Sequence, residues 1–358
     1  MHNNSHKVTG EMTQQQAGST NATQKESSAA KDGGYVAGVD IGATNLRLAL
    51  ANLAGTVVAR WSSSTVGIRD PQAVIALIRE GIRELLAAVS APCGALHAVA
   101  AGAPGITNVD SGVVIATSYL MGWRDIPLRT LLEDALGAPA MVDNDVNLAA
   151  IGEHWIGAAQ GVQDFVFIGI GTGVGASIML NGVPFRGCGW GAGEVGYMLV
   201  PGITEFQSEP GEPGGLERII GGDGIKAQWQ SIWRAGKTSL PKDLTATQIF
   251  DHALTGDPLA QSLLDQTARM LAHAVYNMHV VLDCPLFVLG GGVGVHPGLC
   301  RATEEMLDQL KMRDHPRLIT SALGPDAQQM GALRLALDLA RRSSPPRSAD
   351  QAVVATRS

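Results

Sequence analysis

No run of apolar residues in this 358-residue chain approaches the roughly 18 to 20 needed to cross a bilayer, and no apolar segment near its start resembles a secretory leader. A cytoplasmic location is the expectation. Clustered Lys and Arg are also missing. With 26 basic against 33 acidic residues, the formal net charge is −7 and the pI about 5.7. A face built for phosphate backbones or anionic lipid would gather its basic residues, so neither nucleic acid nor a membrane is expected as a partner. The four cysteines, Cys93, Cys188, Cys284 and Cys300, include no CxxC pair. Scattered in this way, they suggest neither a Cys-rich zinc site nor a disulfide framework, so buried thiols are expected.

What is present is long enough for two α/β domains with full cores. Residues 1–34 are polar and without apolar periodicity, and the stretch from about Arg341, with Pro345-Pro346, has the same character. Such segments bury too little surface to order, so tails are expected at 1–34 and 342–358 around a folded unit. Inside that unit one plan occurs twice. YVAGVD, the turn IGATN, LRLALANL, a turn at Ala54-Gly55 and TVVAR form a meander, and FVFIGI, GTGVG, ASIML, Asn181-Gly182 and VPFR repeat it. Asp70-Pro71 then opens an amphipathic helix with an apolar face of Val74, Ile75, Ile78, Ile82, Leu85 and Leu86. Further strands are expected at HAVAAG, GVVIAT, PAMVDN and PLFVLG. Helices are expected near 127–136, 145–158, 257–282, 298–311 and 326–340.

Three glycine-rich turns follow strands: Asp40 to Asn45, Gly169 to Gly175, and Gly290 to Gly294. Glycine lets backbone N–H groups approach phosphate oxygens, and Thr adds a hydroxyl. One such turn is an ordinary tight turn more often than not; two in matching meanders and a third after a later strand suggest two phosphate loops and an adenosine loop. A dinucleotide fingerprint is excluded because ASIMLNGVPF, a hairpin, follows Gly175 where a helix is required. Gly236-Lys237-Thr238 resembles the end of a Walker A loop, but Ser231 stands at its first glycine, so it reads as an exposed helix end.

Together VDIGATNLRLAL, AAGAPGITN, VDNDVNLAAIGEHWIG, FIGIGTGVGASIMLNG, GEVGYM and FVLGGGV resemble the ROK family of bacterial sugar kinases and sugar-responsive repressors, glucokinase-like members above all. The resemblance implies a two-lobed, actin-like ATPase (ribonuclease H-like) fold with nucleotide and sugar in the cleft. The lobes would be 35–145 with the returning helix 326–340, and 146–324. It implies Asp145 as the general base and Gly105, Asn144, Asp145, Glu194, Tyr197 and Glu217 as sugar-binding residues. Asp40, Gly42, Thr44, Asn45, Gly171, Thr172, Gly173, Gly291 and Gly292 would bind ATP, with Asp40 near Mg²⁺ through water. A homodimer is implied as well. The chemistry is coherent: a sugar hydroxyl is a poor nucleophile, a carboxylate that takes its proton is worth roughly 10² to 10⁴ in rate, and phosphate donors with Mg²⁺ supply the rest.

The chain departs from the family where most members hold a structural zinc with three thiolates and a His. Tyr197 stands at the His, and MLVPGITEFQSEPGEPGGLE contains no Cys, so no zinc is expected. Tyr197 is expected to place its ring at the His position and its hydroxyl on a sugar or Glu194. Asp143 reads as an N-cap, Glu153 and His154 as a helix face or a satisfied buried pair, and Glu217 also as a loop anchor. Glucose is the expected substrate; mannose, fructose, allose and N-acetylhexosamines are the alternatives. A non-enzymatic sugar sensor is disfavoured by the acidity of the chain and by the short polar segment ahead of the first strand.

Overall fold

The computed structural model describes residues 33–117, 120, 122–202, 212–234 and 236–343. Apart from 33–34 and 342–343, the expected tails lie outside these residues, as do 203–211 of the cysteine-free loop.

The first half runs β1 (Tyr35–Ile41), β2 (Asn45–Asn52), β3 (Val57–Ser64), α1 (Pro71–Ala88), β4 (Leu96–Ala103), β5 (Ile106–Asn108), β6 (Val113–Ala116), β7 (Arg124–Ile126), α2 (Leu128–Leu136), β8 (Ala140–Asn144) and α3 (Asp145–Ile156). The second runs β9 (Phe165–Ile170), β10 (Val174–Leu180), β11 (Val183–Phe185), α4 (Glu217–Ile220), α5 (Gly222–Ile232), α6 (Ala246–Leu254), α7 (Pro258–Leu282), β12 (Leu286–Gly290), α8 (Gly291–Gly294), α9 (Pro297–Gln309), β13 (Arg317–Thr320) and α10 (Ala327–Ser343).

The repeated meander becomes a repeated sheet. Order β3-β2-β1-β4-β8 in one matches β11-β10-β9-β12-β13 in the other, and a small sheet β5-β6-β7 stands beside them. In both, the meander is antiparallel and its first strand pairs in parallel with the next strand inward, β1 with β4 and β9 with β12. The strand sequences fit their places. YVAGVDI is buried throughout as a central strand, whereas β3 alternates half-buried and exposed residues as an edge strand does. The Asn181-Gly182 turn has φ of +53° and +74°, the paired left-handed geometry of a type I′ hairpin.

Helix α1, capped by Asp70 with Pro71 in its first turn, lays its apolar face on one side of the first sheet, against Leu46, Leu48 and Leu50. On the other side Leu148 and Ile151 of α3 and Leu333, Ala336 and Leu337 of α10 share a core with Val36, Ala98 and Ala100. Two glycines permit the α3–α10 approach: a Cβ on Gly331 would lie 1.8 Å from the Leu148 carbonyl, and one on Gly152 would lie 2.3 Å from that of Ala327. Ala149 and Ala150 of α3 face the other way, into a core with Phe165 and Phe167 of the second sheet. Because α3 is apolar on two faces it belongs to both cores. The expected division between residues 145 and 146 thus falls at the head of a shared helix.

The remaining expectations differ in detail. Strand β13 and the three-residue β5 and β7 are too short for a period of two to register. Among the thiols Cys284 is buried and Cys300 half-buried, but Cys93 and Cys188 are exposed, which corrects the reading of all four as buried. Burial pushes the Cys284 and Cys300 thiols up to about 11. Gly236-Lys237-Thr238 lies past the end of α5, where the Thr238 hydroxyl donates to Asp257, the N-cap of α7. No described helix is long and apolar enough to cross a membrane.

Candidate active site

The strand register sets out the acids. Asp40 on β1 lies opposite Gly102 on β4, and Gly102 opposite Asp143 on β8, a row at the C-terminal ends of three parallel strands. Ligands in open α/β sheets bind at such ends. Gly102 brings the head of α3 onto the row: a Cβ there would lie 2.7 Å from Leu148 Cδ1 and 3.5 Å from Asp145 Cα. Asn144, not Asp143, is the N-cap of α3. Its Oδ1 accepts from the N–H groups of Val146 at 2.8 Å and Asn147 at 3.2 Å, and its Nδ2 donates to the Gly105 carbonyl at 2.8 Å. Gly105 sits at φ +96°, where a Cβ would also meet the Ala116 carbonyl at 2.3 Å, so only glycine fits.

Asp145 follows as the first helical residue, retaining some exposed surface, with Oδ1 accepting from Val146 N–H at 2.9 Å. Removal from water, then the charge of Asp40 and more weakly that of Glu194, push its carboxyl up to about 7 against that hydrogen bond. Asp40 is 5% exposed, and burial raises it too, opposed by Arg47. Arg47, its cross-strand partner on β2, places Nη2 at 2.5 Å and Nε at 2.9 Å from Asp40 Oδ2, and also reaches the Pro325 carbonyl and Gln328.

The three glycine turns are each braced from behind. In the first, Gly42 N–H donates to the Asn45 carbonyl, Asn45 Nδ2 to the Thr44 hydroxyl, and the buried Thr65 binds both the Gly42 and the Thr44 carbonyls. In the second, Gly171 N–H donates to the Gly173 carbonyl, while the first turn of α5 caps the loop: Gly222 N–H donates to Gly171 and Asp223 N–H to Thr172. Gly173 closes onto Val174 at the start of β10. In the third, Gly291 has φ +77° and a Cβ would lie 2.4 Å from the Ile170 carbonyl, so it packs on the strand leading to the second turn; Gly292 beside it is open.

The acids of the second half lie beside these loops. Glu217 Oε2 accepts from Val174 N–H at 2.7 Å, which gives it the loop-anchoring role. Its charge, after the loss of water contact, raises the Glu194 carboxyl, although Glu194 keeps an exposed face. Tyr197 differs from expectation: it is exposed and its hydroxyl donates to the Glu212 carbonyl at 3.1 Å, so it ties the far end of the cysteine-free loop rather than reaching Glu194. Among the described residues no three His, Cys, Asp or Glu side chains converge as metal ligands.

Sequence reasoning missed Arg47, Thr65 and Arg186 and misread Asp143. Asp143 is buried, not a cap: its Oδ1 accepts from Asn144 N–H and Asn147 Nδ2, and Oδ2 pairs with Arg186. A signal existed for Arg47, a lone cation at an alternating position of an apolar strand whose partner in a hairpin register is Asp40. Glu153 is fully buried and satisfied, as one of the readings had it, by Ser321 and by the N–H groups of Ala158, Ala322 and Leu323.

The model of the ROK family matches residues 36–339. A glucokinase of Halalkalibacterium halodurans is 33% identical, covering 72% of this chain and 80% of its own. An N-acetylmannosamine kinase of Escherichia coli is 31% identical over 84% of this chain and 97% of its own, and a xylose repressor of Caldicellulosiruptor bescii 26% identical over 73% and 66%. The solved ROK hexokinase of Thermus thermophilus superposes with a TM-score of 0.72 at 26% identity, covering 86% of this chain and 99% of that one. With the duplicated sheets of an actin-like ATPase and a family match over almost the whole described fold, the chain belongs to the ROK family.

Proposed function

We propose that the protein transfers the γ-phosphoryl group of ATP to a hydroxyl of a hexose, glucose first among candidates, with Asp145 as the general base. The observation that carries this is a carboxyl near pKa 7 at the head of α3, on the same strand ends as Asp40 and influenced by Glu194. A base with that pKa is deprotonated often enough at neutral pH and basic enough to accept a hydroxyl proton in the transition state. The sugar oxygen attacks the γ-phosphorus, its proton passes to Asp145, the bond to the β-phosphate oxygen breaks, and ADP leaves.

In this reading Asn144, Asp145, Glu194 and the Gly105 turn hold the sugar, while Gly42, Thr44, Asn45, Gly171, Thr172 and Gly173 take the phosphates and Gly291 and Gly292 the adenosine. The charge of Asp40 raises the proton affinity of Asp145, a repulsion that a divalent cation would relieve, while Arg47 holds Asp40 in place from the other side. Asp40 would hold Mg²⁺ through water, and the bound ion would neutralise phosphate charge. The two sheets would be the cores of two lobes, 35–145 with 326–340, and 146–324, that close on the sugar.

A second acceptor class, N-acetylhexosamines, is favoured by the likeness to an N-acetylmannosamine kinase, 97% of which the chain covers, and by Tyr197 in place of the His that most members of the family carry. Turnover of a panel of hexoses and N-acetylhexosamines with Mg-ATP decides between them. Highest kcat/KM on glucose is expected. A preference for an N-acetyl sugar moves the substrate, and no turnover on any of them sinks the reading in favour of a sugar sensor.

A further inference from the structure

Arg186 joins two parts of the molecule that the chain keeps far apart. It follows β11 at the edge of the second sheet, and its carbonyl accepts from Ala192 N–H at 3.1 Å, closing the loop that runs on to Glu194. Its guanidinium leaves that sheet: Nη2 lies 2.5 Å from Oδ2 of Asp143 on β8 of the first. The side chains are 20% and 2% exposed. The other oxygen of Asp143 accepts from Asn144 N–H at 2.8 Å and Asn147 Nδ2 at 2.9 Å, so this carboxylate grips the turn that presents Asn144 and Asp145. Arg186 donates also to the Pro184 carbonyl, but its Nε is buried without a partner. The guanidinium is therefore placed by Asp143 rather than by satisfaction of its own donors. A pair taken out of water gains little stability over an apolar one of the same shape, and its best-attested use is to fix one arrangement among several.

We infer that Arg186 is a positioning residue for phosphoryl transfer: through Asp143 it fixes the turn carrying Asn144 and Asp145 against the loop carrying Glu194, so that base and sugar-side acid hold one spacing. The inference rests on the reading of Asp145 as base. Neither Arg186 nor Asp143 need touch the sugar. Removing either charge strands the other in a buried place and lets the turn shift, whereas replacing both by amides leaves a neutral pair that can still hydrogen-bond.

The test is a double-mutant cycle on the full chain with Mg-ATP and the best sugar of the panel, using Arg186→Gln, Asp143→Asn and the double variant. Each single substitution is expected to lower kcat by about 10- to 100-fold and raise the sugar KM several-fold, with the KM for ATP within about twofold of wild type. The double variant is expected to recover to within about tenfold of wild-type kcat, far better than the product of the singles. A purely structural role would reduce the folded fraction and leave both KM values alone, and that result, or multiplicative losses in the double variant, overturns the inference. Should the single variants fail to fold, Arg186→Lys decides: it keeps the charge on a shorter, single-point donor and should show a raised sugar KM, and wild-type kinetics there would end the proposal. Asp145→Asn, measured alongside, separates the two ideas. If it turns over like wild type the base assignment falls, and if it is dead while the cycle is multiplicative only the role of Arg186 falls.

Discussion

Asp145 is asked to be basic enough to take a proton and yet to sit where a negative charge is poorly solvated. Its carboxyl lies near 7 when folded against an ordinary 3.8, so between those values the folded protein holds a proton that the unfolded chain has released. Stability from this group is therefore greatest in acid and is lost as pH rises through about 7. Asp145→Asn is expected to lower kcat at least about 10²-fold while raising the melting temperature at pH 8, with a smaller gain at pH 5. The wild-type kcat/KM should in turn fall below about pH 7 as the base is protonated. A gain over wild type no larger at pH 8 than at pH 5 would show that the carboxylate is not strained by its site. Residues of this kind were legible in the sequence because they sit in glycine-rich or DND-type strings whose chemistry is compact in the chain. Arg186 was not, because its partner is 43 positions away and nothing in PFRG marks a buried cation.

Among the elements, α3 carries the most. Its head bears the N-cap and the proposed base, its two apolar faces serve both cores, and two turns on Glu153 gathers four donors, three of them from Ser321, Ala322 and Leu323 between β13 and α10. Glu153→Ala would strand those donors in a dry place at a cost of about 3 kcal/mol or more. A fall in melting temperature of roughly 6 °C or more is the expected outcome in a thermal scan. A shift under about 2 °C would mean that water reaches and replaces the carboxylate. The long elements were readable from Asp70-Pro71 and Asp257-Pro258, which cap and start α1 and α7 as the propensities of Asp and Pro dictate. The double membership of α3 was not. Apolar residues all round a helix say that it is buried, but not on how many sides another body waits.

For the whole molecule, the repeat visible in the chain is the repeat of the fold, because a meander's hydrogen bonds are local and its turns are spelled by Gly and Asn. What could not be read is how the two sheets are bridged, since Asp143–Arg186 and the Glu153 cluster are contacts of long sequence separation. If the sheets are the cores of two lobes that close on sugar, solution scattering should record a smaller radius of gyration at saturating sugar than without it. An unchanged radius would indicate that the cleft is already closed when empty.

Helix α10 completes a face that the chain began nearly three hundred residues earlier, covering β1, β2 and β4 with Leu333, Ala336 and Leu337. On a ribosome adding about 5 to 20 residues per second, the roughly two hundred residues between β8 and the end of α10 take on the order of 10 to 40 s to emerge. For that interval the first sheet is covered on one side by α1 and on the other only in part, by α3, so the nascent protein offers the rest of that apolar surface to its neighbours and to chaperones. Closing that surface depends on α10 fitting glycine to carbonyl at Gly331, which makes a single small residue a checkpoint for a sheet translated long before it.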